Sequence, residues 1–107
     1  MTMTRILVPL LGMMFCAGVS AADATAGKIA YDKNCKTCHG TSGAGVPAMA
    51  KAFHTKLRSF CSAEVQALSD AALRNAMLKG IGKMTAIKDL AGADPDNLIA
   101  YIRTLKK

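Results

Sequence analysis

The chain has 107 residues and a formal net charge of +7, from 14 Lys and Arg against 7 Asp and Glu. This length permits one small domain and excludes a large multidomain enzyme. The basic residues are scattered along the sequence, which argues against nucleic-acid binding. No internal repeat, low-complexity tract or linker divides the chain, so a single folded domain is expected.

Residues 1–22 have the pattern of a cleaved secretory signal peptide. Arg5 supplies the positive charge near the start, and an apolar run of about fourteen residues follows it, fewer than the ~20 that span a bilayer. The small residues at 20–22 suit a signal peptidase. We expect cleavage after Ala21 or Ala22, export to the periplasm or beyond, and a mature chain without a membrane span.

Residues 23–107 are predicted to form one all-α domain, because Ala and Leu dominate and apolar residues recur at helical spacing. A first helix is expected from about Thr25 to Cys35, with Asp23 or Thr25 as its N-cap. Gly27 falls inside that helix, where glycine costs roughly 1 kcal/mol relative to alanine. Its presence therefore indicates close approach of another helix.

The middle of the chain predicts a loop and two further helices. The glycine-rich stretch 40–47 is expected to be the loop. Helices are expected to begin near Ser62 and at Ser69, the second leading into a helix over 71–79. A flexible glycine-containing turn over 80–83 then ends that helix.

The last helix has the clearest start signal of the chain. Asp94 is expected as its N-cap, Pro95 as its first residue and Asp96 in its first turn. The helix carries an apolar stripe for packing, formed by Leu98, Tyr101, Ile102 and Leu105.

One pentapeptide, Cys35-Lys36-Thr37-Cys38-His39, has the spacing of covalent haem attachment. In that chemistry two thiols form thioethers with the vinyl groups of the porphyrin, and the histidine binds the iron. A thioredoxin-like dithiol is disfavoured because no β-rich run flanks the cysteines. A structural zinc site is disfavoured because no second closely spaced cysteine pair is present. The motif therefore predicts one haem c, linked to Cys35 and Cys38 and ligated by His39.

The second axial ligand of the iron has four candidates, the thioethers of Met49, Met77 and Met84 and the imidazole of His54. Met77 lies on a predicted apolar helix face and is expected in the core. Met84 follows the glycine-containing turn between two predicted helices, where a loop can present sulfur from the face opposite the histidine. We expect Met84 to be the ligand, with Met49, His54 or an open site as alternatives.

The mature sequence resembles class I c-type cytochromes, which are small single-haem electron carriers, over essentially its whole length. The resemblance rests on Gly27 and Tyr31 in the first helix, the pentapeptide followed by Gly40, Pro47, the run Gly80-Ile81-Gly82-Lys83-Met84, and the closing helix Leu98-Ile99-Ala100-Tyr101-Ile102-Arg103. It implies three to five helices wrapped around one covalently bound haem, with His39 and Met84 as axial ligands. It also implies that the Pro47 carbonyl accepts a hydrogen bond from His39, and that the first helix packs on the last around Gly27, Tyr31 and Tyr101.

The resemblance implies an electron-transfer protein and not an enzyme, passing one electron at a time between larger redox proteins. Thr85 departs from the family, whose members commonly carry proline after the axial methionine. Because proline fixes φ, its absence indicates a more mobile loop and a more easily displaced Met84. The alternatives are a gas-binding or sensor protein with an open or labile sixth position, an electron-entry subunit of a larger enzyme, and a peroxidase-like enzyme, for which no distal His and Arg pair is evident.

Basic residues near the motif and the methionine turn indicate how a partner would dock. Lys36, Lys79, Lys83 and Lys88 are expected to surround the exposed haem edge and to steer docking onto an acidic redox partner. The alternative is that these lysines are merely a solvated surface.

Three kinds of side chain remain outside this scheme. Cys61 stays unpaired once Cys16 leaves with the signal peptide, so we expect either a buried small residue in a monomer or a disulfide-linked dimer. His54 is expected at the surface, with a haem propionate contact or iron ligation as alternatives. Phe53 and Phe60 are expected to form walls of the haem pocket.

Overall fold

The computed structural model describes Gly12 and residues 22–107, so the predicted signal peptide over 1–22 lies almost wholly outside the described residues. The described part is all-α, as predicted, and contains no helix long and apolar enough to cross a membrane. It has six helices where three to five were expected, because α2 and α4 are single turns. They are α1 (Ala24–Asn34), α2 (Lys36–His39), α3 (Pro47–Ala52), α4 (Ala63–Gln66), α5 (Asp70–Lys79) and α6 (Asp94–Thr104).

Short polar side chains begin three of these helices. Asp23 accepts hydrogen bonds from two backbone N–H groups in the first turn of α1, the nearer at 2.8 Å. Ser62 and Ser69 each accept one in the first turns of α4 and α5, at 3.3 and 3.1 Å. These bonds satisfy N–H groups that have no partner within the helix. The predicted starts of all three helices are confirmed.

The start of α6 differs from the prediction by one residue. Asp94 is the first residue of α6 and not its N-cap, which is Ala93. Ala93 already has near-helical dihedral angles, φ −83° and ψ −2°. The Asp94 carboxylate therefore turns back and accepts a hydrogen bond from the N–H of Ala91 at 3.2 Å.

Helix α3 is absent from the sequence prediction, which gave only a loop up to residue 47. Pro47 is the first residue of α3, where its fixed φ suits a helix and its missing N–H is not needed. The helix has six residues, too few for an apolar periodicity that would have indicated it.

The core forms where α1 crosses α6. Gly27 is buried at this crossing, and a Cβ there would overlap the backbone carbonyl of Asn97 and lie 2.9 Å from the Cβ of Tyr101. One turn further along α1, the Tyr31 ring is fully buried, with its centroid 5.1 Å from that of Tyr101. The close approach indicated by Gly27, and the packing implied by the resemblance, are both observed. The buried core consists of Tyr31, Val65, Leu73, Met77, Leu98, Ile99 and Ile102.

Candidate functional site

The cysteine-histidine motif forms a tight helical turn directly after α1. The Cys35 carbonyl accepts hydrogen bonds from the N–H of Cys38 at 3.3 Å and of His39 at 3.0 Å. The Tyr31 hydroxyl, in the core, donates to the Gly40 carbonyl at 2.5 Å. Burial raises the pKa of Tyr31, so this hydroxyl keeps its proton and remains a donor. The turn is thereby held against the α1–α6 core.

Two adjoining apolar clefts open beside this turn, with volumes of about 230 and 390 Å³. Both cysteines line the first cleft, which we call the cysteine cleft, together with Phe53. The second, the outer cleft, extends along α5. The residues that line both clefts are His39, Thr55, Leu57, Phe60, Met77, Lys83, Met84 and Ile102.

The His39 imidazole lies at the junction of the two clefts and stacks on Phe60, with ring centroids 4.4 Å apart and planes 25° from parallel. Burial lowers the pKa of His39, which favours the neutral imidazole that can bind a metal. Among the described residues, His39 Nδ1 is a buried side-chain nitrogen without a hydrogen-bond partner. The implied bond to the Pro47 carbonyl is therefore not made. Pro47 opens α3, where a carbonyl normally accepts from the residue four positions later.

The loop after the motif brings residues 57–60 against the clefts. The N–H groups of Gly45 and Val46 donate back to the carbonyls of His39 and Cys38, at 2.8 and 2.9 Å. Gly45 has φ +88°, and a Cβ there would lie 2.9 Å from the Leu57 Cβ, so only glycine fits without displacement. The Phe60 N–H donates to a carbonyl of the same loop at 2.9 Å. Sequence spacing gave no indication of Leu57, because the segment follows no helical period.

Met84 is held at the edge of both clefts by a narrow turn. Its N–H donates to the Ile81 carbonyl at 2.9 Å, and its carbonyl accepts from the Ile81 N–H at 3.0 Å. Gly80, which ends α5 as predicted, has φ +81°, and a Cβ there would lie 2.6 Å from the Met84 carbonyl oxygen. The turn can therefore approach α5 only because residue 80 is glycine.

The other candidate ligands divide into two groups. Met49 and His54 line neither cleft, and His54 is exposed. Met77 is buried in the core, as predicted, but it also lines both clefts. Of the four sulfur and imidazole candidates, the structure thus brings Met77 and Met84 to the clefts that contain His39.

The thiols are poorly suited to the rival chemistries. Burial raises the pKa of Cys35 to about 11, which disfavours the thiolate that a dithiol centre or a zinc site requires. Within residues 22–107 no three His, Cys, Asp or Glu side chains lie together as a metal site. Cys61 is half-buried and lines neither cleft, and its disulfide-linked dimer stays a prediction. The remaining chemistry is covalent haem attachment, for which the apolar lining, two thiols, a neutral imidazole and a thioether are a fitting set.

An all-α fold with these groups around one apolar cleft is typical of c-type cytochromes. The family model described as Cytochrome c matches residues 24–106. Cytochrome c-554(547) of Halothiobacillus neapolitanus is 37% identical over 93 residues, covering 80% of this chain and 100% of that protein. The solved structure of KustC0563 c-type cytochrome matches with a TM-score of 0.63 at 28% identity, over 76% of this chain and 98% of that one. The chain belongs to the cytochrome c family, whose members carry covalently bound haem c with iron and transfer electrons.

Proposed function

We propose that the chain is an exported mono-haem electron carrier, in which Cys35 and Cys38 form the thioethers and His39 and Met84 are the axial iron ligands. The observation that carries this proposal is that one apolar cleft is lined by all four side chains. Residues 1–22 would direct export as a signal peptide, and residues 23–107 would form the haem domain. The carrier would accept and return one electron at a time between redox proteins.

Each of the four side chains has a distinct task in this proposal. The bound haem supplies an iron that changes between the ferric and ferrous states. The thioethers of Cys35 and Cys38 fix one edge of the ring, and the neutral imidazole of His39 supplies a nitrogen lone pair. The thioether of Met84 raises the reduction potential relative to a second histidine. The apolar lining excludes water, so the ligands stay the same in both redox states.

The turn at Met84 supports a closed site over a sensor with an open sixth position. The two hydrogen bonds between Ile81 and Met84 hold the turn without the proline that is common after the axial methionine. Thr85 lies outside this bonded pair and is exposed. The hydrogen bonds therefore replace part of the stiffness that proline would give, and we infer that Met84 stays bound in both redox states.

Optical spectra of Met84→Ala test the ligand assignment. We expect the ferric variant to lose the sulfur-to-iron charge-transfer band and the ferrous variant to bind carbon monoxide, because the sixth position opens. Met49→Ala removes an equivalent thioether that lines neither cleft, so it should keep the band and exclude carbon monoxide. Ready carbon monoxide binding by the unaltered protein would support the sensor instead. A band that persists in Met84→Ala would move the assignment to Met77.

We also propose that the lysines beside the clefts form a docking surface for an acidic redox partner. Lys36, Lys79, Lys83 and Lys88 are all exposed, and none forms an ion pair within the described part of the chain. Ile81, between two of them in sequence, is 66% exposed, an apolar centre that a partner could cover. Positive charge around an apolar contact would steer an acidic protein onto the Met84 turn.

The docking surface can be tested with an anionic oxidant, hexacyanoferrate(III). Its rate of reduction by the ferrous protein should fall as ionic strength rises, because salt screens the attraction to the lysines. Lys83→Gln should lower the rate about 2-fold at low salt. Lys106→Gln, the same charge change at the exposed C-terminal end, should have little effect. A rate independent of ionic strength would refute electrostatic steering.

A further inference from the structure

The His39 imidazole is in face-to-face contact with the phenyl ring of Phe60. The ring centroids lie 4.4 Å apart and the planes 25° from parallel, so the imidazole cannot turn about its own axis without losing contact area. The Phe60 ring also meets Tyr31 edge to face, with centroids 6.2 Å apart and planes 71° from parallel. Because the Tyr31 ring is fully buried in the core, Phe60 connects that core to the imidazole.

The backbone of Phe60 is fixed on both sides of its Cα. Its N–H donates to the Gly43 carbonyl at 2.9 Å, and its carbonyl accepts a hydrogen bond from Gln66 Nε2 at 2.7 Å. A Cβ at Gly43 would lie 3.1 Å from the Phe60 Cβ, so the loop after the motif packs closely against this residue. Phe60 therefore has little freedom to withdraw its ring from His39.

Gln66 holds Phe60 from outside the clefts. Its side-chain amide donates a second hydrogen bond, to the Ile102 carbonyl of α6 at 2.9 Å. Arg103 in turn donates to the Gln66 carbonyl at 2.9 Å. Gln66 itself lines neither cleft. Any effect of this side chain on the cleft ligands must therefore pass through the residues that it binds.

The second ring nitrogen of His39 does not provide the usual tether. A histidine that binds a metal commonly donates from its other nitrogen to a carbonyl or carboxylate, which fixes the plane of the ring. Nδ1 of His39 is buried and has no such partner among the described residues. The described structure offers stacking on Phe60 in its place.

We propose that Phe60 and Gln66 are positioning residues that fix the plane of the His39 imidazole. Phe60 acts through its ring, and Gln66 acts through the hydrogen bond to the Phe60 carbonyl. This role rests on the proposed function, since it takes His39 as an iron ligand. The orientation of an axial imidazole determines how the unpaired electron of low-spin ferric iron spreads over the haem. It is therefore measurable in the NMR shifts of the haem methyl groups.

The test is proton NMR of the ferric holoproteins, in which Phe60→Leu is compared with Phe53→Leu. Phe53 also lines the cysteine cleft, but it is 47% exposed and pairs with no described aromatic ring. Phe60→Leu should change the order of the haem methyl resonances and the range over which they spread, because the imidazole can turn. Phe53→Leu should leave both unchanged, and Phe60→Tyr, which keeps the ring face, should restore the original pattern. If Phe60→Leu and Phe53→Leu have the same methyl shifts, the proposal is overturned.

Gln66→Ala tests the hydrogen bond without changing a cleft-lining side chain. It should shift the methyl resonances in the same direction as Phe60→Leu, whereas Asn75→Ala, which removes an exposed amide of α5, should not. Because Gln66 acts through the ring, adding Gln66→Ala to Phe60→Leu should cause no further shift. A further shift of full size in the double variant would refute the role of Gln66. Unchanged methyl shifts in Gln66→Ala would overturn the proposal even where Phe60→Leu fails to fold.

The unaltered protein reports separately on the proposed function. Haem that survives denaturation and methyl resonances shifted by low-spin ferric iron are both expected, and the absence of either would refute the proposed function. With both present, equal methyl shifts in Phe60→Leu and Phe53→Leu would refute only the roles of Phe60 and Gln66.

Discussion

Replacing Cys35 and Cys38 together by alanine is expected to abolish covalently bound haem and, with it, stable folding. The two thiols line the cysteine cleft, and no other described cysteine does. The hydrophobic core of the described residues consists of only seven buried side chains, few for a domain of this size to fold without a staple. Without haem, the apolar lining of both clefts would face water. The measurement is haem absorbance retained by the chain after extraction with acidified acetone, together with the circular dichroism of the purified chain.

Cys61→Ala is the matched control for this double variant. The Cys61 thiol donates to the Ser42 carbonyl at 3.4 Å, away from both clefts, so its loss removes one weak hydrogen bond. This control should keep one haem per chain and near-normal helicity. A double Cys35→Ala/Cys38→Ala variant that keeps haem through acid extraction would contradict the assignment of the thioethers.

A variant that lacks residues 2–22 tests whether export is needed for haem attachment, by the same measurement of haem retained after acid extraction. Haem is attached to c-type cytochromes outside the cytoplasm. A chain retained in the cytoplasm should therefore lack haem, although Cys35, Cys38, His39 and Met84 are all present. Restoring residues 2–22 should restore the haem and give a mature N-terminus at Ala22 or Asp23. Normal haem attachment to the shortened chain would contradict the role of these residues as a signal peptide.

Local signals in the sequence predicted those parts of the fold whose cause is local. Asp23, Ser62 and Ser69 begin their helices because the capping oxygen and the N–H group that it satisfies are two or three residues apart. The prediction begins α6 one residue too late, because Ala93 already has near-helical dihedral angles and takes the N-cap position expected for Asp94. The preceding turn contains Gly92 at φ 58°, which marks a turn but does not fix which later residue begins the helix.

In the candidate site too, the features with a local cause are predicted from the sequence, and those that depend on distant segments are not. The pentapeptide indicates the haem, its two points of attachment and one iron ligand, because the chemistry is contained within five consecutive residues. The implied bond to the Pro47 carbonyl is not made, because Pro47 begins α3, a helix that the sequence pattern does not predict. The sequence does not predict Leu57 at the clefts, because it lies in an irregular segment that the loop after the motif brings there.

Gly27→Ala is expected to lower the free energy of unfolding by at least about 2 kcal/mol. An alanine inside a helix would normally gain roughly 1 kcal/mol over glycine, so propensity alone predicts the opposite sign. Here the added methyl group would overlap the Asn97 carbonyl, which is backbone of α6 and cannot turn aside as a side chain could. Helix α1 must therefore move away from α6, which loosens the contacts of Tyr31 in the core.

Gly92→Ala is the control for Gly27→Ala, because it adds the same methyl group at a position where that group overlaps no neighbouring atom. Nothing lies within 4 Å of a Cβ at Gly92, so the control meets no neighbour and costs only about 1 kcal/mol for its positive φ of 58°. Denaturant unfolding of the two holoproteins compares the costs directly. If Gly27→Ala is as stable as the unaltered protein, α1 and α6 do not meet as closely as the structure has them.

Because Tyr31 also donates to the Gly40 carbonyl after the motif, loosening at Gly27 should extend to the haem ligands. A weakened sulfur charge-transfer band in Gly27→Ala, but not in Gly92→Ala, would connect the helix crossing to the iron site.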